Sequence, residues 1–204
     1  MGIRAGIWLP LGLSLALLPG LARAERYEID PQHSAVSFRV KHLVISEVNG
    51  HFSRFSGSID YEKGKPSAWG AQAKIDAASI DTGVAARDKH LRSADFLDVE
   101  KFPEVVFESR RAALGKDGSG TLYGELTIRG VSRPVALALE VGGTVKDPWG
   151  HERLGASATT KIDRRDFGLV WNKVLESGGV MVGDEVQIRI DVEAVAAGKG
   201  ARAP

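Results

Sequence analysis

Apolar and polar residues alternate along most of this chain, in short runs that end at turn-forming residues. In residues 35–42, Val36, Phe38 and Val40 fall on one face and Arg39 falls on the opposite face. A period of two residues is that of a β-strand with one buried face. Comparable runs, separated by Gly, Pro, Asn and Asp, predict roughly eight strands, at residues 35–42, 50–61, 67–76, 105–107, 121–129, 135–141, 154–162 and 185–193.

The segment that follows the third predicted strand breaks this pattern and is predicted to be a helix. Asp81 or Thr82 is expected to cap it, and Asp88 is expected to form an ion pair with Arg92 one turn later. Pro103 ends any helical continuation, because the residue before a proline is disfavoured in helical geometry. One helix is therefore expected between two halves of a β-protein.

The polar and apolar faces also indicate how the strands assemble. Each predicted strand is apolar on one side only, so a single interior has to receive all the apolar faces. A closed antiparallel barrel of about eight strands provides that interior and leaves no sheet edge exposed. A membrane-spanning barrel would instead force charges such as Arg39, Asp60 and Arg189 into a narrow lumen. The predicted fold is all-β: a soluble antiparallel eight-stranded barrel with one short helix closing an end. Residues 43–48 are assigned to no strand.

The first 24 residues differ from the rest of the chain. They contain Arg4, an apolar run at residues 7–18 and the small-residue pattern Ala22-Arg23-Ala24, which together are typical of a cleaved secretory signal. The run is shorter than the about 20 residues that a membrane-spanning helix needs. We therefore expect a soluble protein in an exported compartment, with no integral membrane segment after cleavage, organised as a signal peptide at 1–24, one barrel domain at 25–195 and a flexible tail at 196–204.

Composition narrows the classes of function. The chain has 27 basic and 26 acidic residues, and loss of Arg4 and Arg23 with the signal leaves 25 basic residues and a net charge of −1. A near-neutral chain offers no electrostatic basis for binding nucleic acid. The chain has no cysteine, which excludes disulfides, thiolate metal ligands and cysteine nucleophiles.

Histidines are the remaining candidates for chemistry. His33, His42, His51, His90 and His151 are spread along the chain, and no two have the spacing that places two metal ligands on one element. No serine lies in a nucleophile-elbow pattern. We therefore predict no catalytic residue, metal or cofactor, while a metal site assembled from separate strands stays open.

Eight motifs occur in order along almost the whole chain after residue 24. They are Tyr27-Glu28-Ile29-Asp30-Pro31-Gln32-His33-Ser34, Phe38-x-Val40-x-His42, Gly50-x-Phe52-x-x-Phe55-x-Gly57, Ser79-Ile80-Asp81-Thr82, Arg87-Asp88-Lys89-His90-Leu91-Arg92-Ser93-Ala94-Asp95-Phe96, Phe102-Pro103, Gly124-x-Leu126-Thr127-Ile128-Arg129-Gly130-Val131 and Arg165-Asp166-Phe167-Gly168-Leu169. With these motifs the chain resembles the YceI-like family of exported polyisoprenoid-binding proteins. The resemblance implies a lipocalin-like barrel, closed by a helix, whose elongated apolar cavity holds an isoprenoid chain or similar amphiphile.

The predicted ligand-binding residues are inward-facing apolar side chains and a few polar groups that could lie at the mouth of the barrel. Small inward residues, Gly124, Ala156 and Ala158, are expected to leave part of the interior unfilled. The predicted set is Val36, Phe38, Val40, His42, Phe52, Phe55, Ile59, Trp69, Ile75, Arg87, His90, Leu91, Phe96, Phe107, Leu126, Ile128, Phe167 and Trp171.

Two functions are weighed. In the first, the protein binds a long-chain isoprenoid, isoprenoid quinone or similar amphiphile and carries or sequesters it in the periplasm. In the second, it is a structural or stress-related interaction protein whose barrel is filled by its own side chains. The first is preferred, with a long-chain apolar lipid as the expected partner and ligand, no enzymatic activity, and homodimer formation left open.

Overall fold

The computed structural model describes residues 24–65, 68–176 and 178–198. Of the expected signal peptide and tail, residues 1–23 and 199–204 lie outside these ranges. The helix α1 comprises Ala85–Arg92. The strands are β1 (Glu25–Ile29), β2 (Ala35–His42), β3 (Ser46–Phe52), β4 (Phe55–Tyr61), β5 (Gly70–Asp76), β6 (Ile80–Asp81), β7 (Glu104–Leu114), β8 (Ser119–Ile128), β9 (Val131–Lys146), β10 (Glu152–Asp163) and β11 (Val182–Ala196).

These strands form a closed antiparallel barrel. Strand β11 pairs with β1 near its C-terminal end and with β2 near its N-terminal end, so β1 and β2 together act as one barrel strand. Likewise β3 and β4 continue one another, as do β5 and β6. With β7 to β11, these three composite strands give an eight-stranded barrel in which neighbours follow chain order. The predicted fold class is confirmed.

Short turns divide the composite strands, and hydrogen bonds pair several of the backbone amides at these turns. Between β3 and β4, the amide of Ser53 donates to the carbonyl oxygen of Ser79, and the amide of Arg54 donates to the Ser79 hydroxyl oxygen. Between β1 and β2, the amide of Gln32 donates to the Asp30 carboxylate at 3.0 Å. Because the amides find these partners, the strands can bend here at low cost.

The interior has two apolar layers. The layer nearer the β9–β10 turn is a buried cluster that we call the plug, composed of Tyr27, Ile59, Trp69, Leu122, Leu137, Leu139, Leu154, Ala158 and Ala194. The layer nearer helix α1 contains Val36, Ile75, Ala77, Val105, Leu126 and Phe167. The plug fills the barrel, whereas the second layer surrounds a space.

Helix α1 differs in detail from the sequence prediction. Its N-cap residue is Val84, which makes no side-chain cap, so the expected capping by Asp81 or Thr82 is wrong. Asp88 is buried and accepts hydrogen bonds from the amide and hydroxyl of Thr82. The expected Asp88–Arg92 ion pair is therefore wrong, because Thr82 occupies Oδ1 of Asp88 and the Arg92 guanidinium donates to the carbonyl oxygens of Ala78 and Ile80. Within the described residues, no helix is long and apolar enough to cross a bilayer.

Candidate ligand-binding site

An apolar cavity of about 210 Å³ occupies the barrel on the α1 side of the plug. Its wall comes from most of the barrel strands, from α1 and from the segments that follow α1 and β10, and the surface facing the space is apolar. We call the end bordered by Leu91, Leu169 and Val182 the mouth. An apolar wall without exposed polar groups suits a hydrocarbon chain, since such a chain offers no hydrogen bonds.

The plug closes the other end of the cavity. The Trp69 ring lies edge-on to Tyr61 at a centroid distance of 6.3 Å, and Tyr61 lies edge-on to Tyr27 at 6.4 Å. The Tyr27 hydroxyl donates towards the Glu152 carboxylate at 3.2 Å. Burial raises the pKa of Tyr27, so this phenol stays a neutral donor. Access from this end would require unpacking the most buried side chains of the barrel.

Most of the predicted ligand-binding residues meet at the cavity. Those that line it are Val36, Phe38, Val40, Phe52, Phe55, Ile75, Leu91, Phe96, Phe107, Leu126, Ile128 and Phe167. Ile59 and Trp69 belong to the plug instead. His42, Arg87, His90 and Trp171 are not among the lining residues and lie in the surrounding segments.

Arginines on α1 anchor the helix to the barrel. Arg87 donates to the hydroxyl and carbonyl oxygens of Thr82 at 2.7 and 2.8 Å. Arg92 donates to the carbonyl oxygens of Ala78 and Ile80 at 2.8 and 2.6 Å. These bonds hold α1 so that Leu91 lies in the cavity wall. The guanidinium groups therefore position the helix, and much of their donor capacity is used by the protein itself.

Arg164 fixes the opposite side of the mouth. Its side chain is 5% exposed and donates to the backbone carbonyls of Leu169, Trp171, Val182 and Gly183 and to the Asp184 carboxylate. Together these bonds engage all five N–H groups of the guanidinium. Burial lowers the pKa of Arg164, and the charge of Asp184 opposes that effect. This one side chain thus ties the segment 168–181 to the start of β11.

Three aromatic rings join the two sides of the mouth. The His90 ring lies 5.0 Å from the Phe96 ring and 4.7 Å from the Trp171 ring, in edge-on contacts. His90 also bonds to the Asp95 carboxylate at 2.9 Å through Nε2. Arg129 adds a further link, because it donates to the carbonyl oxygens of Ala94 and Gly168 at 2.8 Å. The segments after α1 and after β10 are therefore held together above the cavity.

Several lining residues were not in the predicted set. Strand β11 contributes Val182, Val186, Ile188, Ile190 and Val192. Its regular alternation from Val186 onward is the sequence signal from which the last four could have been found, whereas Val182 lies before a register irregularity. No such signal exists for Arg164, whose partners are mostly backbone carbonyls.

The predicted origin of the unfilled space is wrong. A Cβ atom at Gly124 would lie 2.6 Å from the Phe107 ring, so that ring already occupies the room that the glycine leaves. Ala158 belongs to the plug and Ala156 packs against it. The space lies nearer α1, where the side chains that line the barrel do not fill the centre of the barrel.

One cluster of titratable groups lies outside the cavity, at the turn after β1. Ligand atoms of Asp30, His33 and Glu193 lie within 4.8 Å of one another. Arg153 donates to Asp30 at 3.0 Å and to Glu193 at 2.6 Å. A guanidinium already bonded to both carboxylates makes this cluster a salt-bridge network, and we assign no metal to it.

Comparison with known proteins gives a consistent assignment. The YceI-like domain family matches residues 27–194. A Pseudomonas putida protein described as a UPF0312 protein is 40% identical over 162 residues, which cover 78% of this chain and 84% of that protein. A Shewanella baltica UPF0312 protein is 40% identical over 161 residues, with the same coverage of both chains.

Solved structures share the barrel. BcnA of Burkholderia cenocepacia superimposes with a TM-score of 0.70 at 25% identity, over 81% of this chain and 99% of that one. A structure described as a polyisoprenoid binding domain from Saccharophagus degradans gives a TM-score of 0.62 at 18% identity, over 86% of this chain and 99% of that one, and supports the fold alone. Because the family matches residues 27–194 and its relatives align over most of both lengths, this chain belongs to the YceI-like family.

Proposed function

We propose that this protein binds a long-chain isoprenoid, an isoprenoid quinone or a similar amphiphile in the barrel cavity, and carries or sequesters it in the periplasm. The observation that carries the proposal is the apolar cavity between the plug and α1. A barrel filled by its own side chains, the alternative function considered above, would leave no such space. The polyisoprenoid-binding description of the S. degradans domain supports the same ligand class through likeness of fold.

The ligand's chain, more than its polar head, is expected to provide the affinity. Near the mouth, the guanidinium groups of Arg87, Arg92, Arg129 and Arg164 donate to backbone oxygens of the protein. Apolar burial must therefore supply most of the free energy. At about 0.3 kcal/mol per heavy atom, a ligand of ~30 atoms gains ~9 kcal/mol, which corresponds to a dissociation constant of about 0.1 to 1 μM.

The size of the cavity limits how much of the ligand's isoprenoid chain the barrel can enclose. Its volume of about 210 Å³ is smaller than the roughly 300–1,000 Å³ of common small-molecule sites. A long isoprenoid would therefore fill the space and continue through the mouth unless the segments above it move apart. Affinity should rise with each added isoprene unit and then level off once the enclosed part is full.

Titration of delipidated protein with geraniol, farnesol and geranylgeraniol tests this proposal. We expect affinity to increase with chain length until the enclosed part of the cavity is full, and geranylgeranyl phosphate to bind about as well as geranylgeraniol. Native mass spectrometry of protein purified without detergent should show a bound lipid. Affinity that is independent of chain length but collapses when the head group changes would contradict the proposal.

A matched pair of variants on β11 localises binding. Ile188 lines the cavity, whereas Gln187 faces the opposite side of the strand beside Arg39 and Arg189. Ile188→Glu should abolish geranylgeraniol binding, since a carboxylate cannot be buried without a partner at low cost. Gln187→Glu should bind like the parent.

The first residues of the chain support export, and the family likeness supports the periplasm as the compartment. The apolar run at residues 7–18 and the pattern Ala22-Arg23-Ala24 are those of a secretory signal. Fractionation of producing cells should recover the protein from the periplasm, with an N-terminus at or near Glu25. Recovery of uncleaved protein with the inner membrane would contradict this.

A further inference from the structure

Two segments at the mouth end of the barrel expose apolar side chains to solvent. The turn between β2 and β3 exposes Val44 and Ile45, which are 68% and 87% accessible. The segment between β10 and β11 exposes Val174 and Val180, of which Val174 is 84% accessible. We call these four side chains the apolar tip. Single exposed apolar residues are common on proteins, but a group of them at one place calls for an explanation.

The two segments are in direct contact. The amide of Leu43 donates to the carbonyl oxygen of Met181 at 2.9 Å, and Val174 forms an isolated β-bridge with Val180. A Cβ atom at Gly179 would lie 3.8 Å from Val44. The two segments that expose these four side chains therefore adjoin one another.

This surface adjoins the cavity. Val182 lines the cavity and pairs with His42, the last residue before the β2–β3 turn. Asn172 connects the exposed segment to the same place, because its side-chain amide donates to the Val182 carbonyl at 2.7 Å and its side-chain oxygen accepts from the Val182 amide at 3.0 Å. Any binding partner that covers the apolar tip would thus lie next to the mouth.

The backbone of the β2–β3 turn adds a second observation. Leu43 and Val44 have φ values of 52° and 67°, in the left-handed region that large and β-branched residues rarely adopt. Glycine or asparagine would fit this turn with less strain. The chain instead places bulky apolar residues here, where they are strained and Val44 is exposed, which indicates a role for their side chains.

We propose that the apolar tip inserts into the surface of a lipid bilayer, so that the mouth faces the membrane with which the cavity exchanges its ligand. This inference rests on the proposed function. A bilayer covers apolar side chains without needing polar partners. It also lets an apolar chain pass between membrane and cavity without crossing water.

The charges near the tip give no electrostatic attraction to an anionic bilayer surface. Residues 42–46 contain no Asp, Glu, Lys or Arg, and the nearby Lys41 is paired with Glu47 at 2.8 Å. Residues 168–181 contain one basic residue, Lys173, and one acidic residue, Glu176. The tip therefore carries no excess positive charge, and its association should come from apolar burial with little dependence on salt.

Flotation of the protein with phosphatidylcholine vesicles tests the inference. Val44→Asn combined with Ile45→Ser should lower the partition coefficient about tenfold or more. Asparagine tolerates positive φ, so this variant should remain folded. Val174→Ser is an independent second variant that should act in the same direction.

The control lies at the far end of the barrel. Trp149 is 78% accessible in the turn between β9 and β10, beyond the plug, and Trp149→Ser should bind vesicles like the parent. All variants have the same N-terminus as the parent, so any contribution of residues 1–24 to vesicle binding cancels when a variant is compared with the parent. Absence of vesicle binding by the parent, equal binding by the tip variants, or loss of binding in Trp149→Ser would overturn the inference. So would a self-association in solution that the tip variants abolish, since the surface would then be an interface between copies of this chain.

Ligand measurements separate this inference from the proposed function. The tip variants should bind geranylgeraniol added in solution as tightly as the parent, but extract it from phosphatidylcholine vesicles about tenfold more slowly. If the parent binds geranylgeraniol and all proteins extract it at the same rate, the membrane inference fails alone. If the parent binds no geranylgeraniol but the tip still governs vesicle binding, the proposed function fails and the membrane surface stands by itself.

Discussion

The ring of Phe96, from the segment after helix α1, lies 5.2 Å from the ring of Trp171, from the segment after β10. Phe96 is buried and lines the cavity, whereas Trp171 packs on it from outside the lining. His90 contacts both rings edge-on. This contact joins two segments far apart in sequence, and we expect the mouth to open when the rings separate.

Trp171→Ala should therefore release ligand faster. The change removes two aromatic contacts, each worth about 0.5–1.5 kcal/mol, so we expect a modest loss of stability and a several-fold higher dissociation rate for geranylgeraniol. Stopped-flow competition measures the rate, and thermal unfolding measures the stability. Trp149→Ala, in the turn at the far end, is the control and should change neither quantity appreciably. An unchanged dissociation rate in Trp171→Ala would show that the ligand leaves by another route.

A carboxylate in place of the Leu91 side chain should weaken the packing of α1 against the mouth of the cavity. Leu91 lines the cavity, so Leu91→Asp places a charge against an apolar wall, at a cost of about 2 kcal/mol or more. Ligand loss should accompany or precede unfolding, as followed by native mass spectrometry during heating. Ala86→Asp introduces the same group on an exposed position of α1 and should behave like the parent. Leu91→Asp with parental melting and retained ligand would mean that α1 does not govern retention.

Removal of the buried Arg164 guanidinium should lower the stability of the protein strongly. Arg164→Met leaves the buried carbonyls of Leu169 and Trp171 without the donor they have in the parent, and it leaves Asp184 paired with Arg165 alone, which should cost about 3 kcal/mol or more. Urea unfolding gives the stability, and limited proteolysis should show earlier cleavage within residues 168–181. Arg165→Met is the matched control, because that side chain is 55% exposed and pairs with Asp163 and Asp184 at the surface. Equal effects of the two variants would argue against a tethering role for Arg164.

The barrel could be predicted from sequence because its strands bury one face each. Alternation in residues 35–42 and 185–193 identifies both the strands and their inward sides, and eight ordered motifs indicate the family. The divisions within the composite strands were only partly visible. The break at Ser53 shows as an irregular spacing of phenylalanines, whereas the β2–β3 turn, with Leu43 and Val44 at positive φ, has none of the residues that normally mark such a turn.

The mouth was harder to predict, because its polar side chains bind mainly to backbone atoms. Arg164 donates to the carbonyl oxygen of Gly183, 19 positions away. Because every residue has a backbone carbonyl, the sequence does not indicate which one is the partner. Arg87 is predicted from sequence to lie at the mouth, but the sequence does not show that its side chain donates to Thr82. Volume is equally hidden, since the room beside Gly124 is occupied by Phe107 and the cavity forms elsewhere.

The salt-bridge network beside β1 should make stability depend on pH in the acidic range. The hydrogen bond from His33, with help from the Gln32 amide, lowers the pKa of Asp30 to about 2, below the ordinary value of about 3.9. A carboxyl whose pKa is lower in the folded state stabilises the fold above its unfolded pKa, and this contribution is lost as pH falls from about 4 to about 2. The difference in unfolding free energy between the parent and Asp30→Asn should therefore shrink across this window. Repeating the comparison in a His33→Gln background should give a smaller change, and a pH-independent difference would contradict the assignment.

Filling the cavity should separate ligand binding from stability. Val40 lines the cavity on β2, opposite Val186 on β11, and phenylalanine is well tolerated in strands. Val40→Phe should place a ring in the empty space, so that the stability changes by less than about 1.5 kcal/mol while the affinity for geranylgeraniol falls at least about tenfold. Val145→Phe, at an exposed position near the far end of β9, is the control and should leave affinity unchanged. Most substitutions that abolish binding also lower the stability of the fold. Val40→Phe instead adds apolar contacts while it reduces the volume of the cavity. Loss of affinity without loss of stability would therefore locate the ligand inside the barrel, and parental affinity in Val40→Phe would locate it elsewhere.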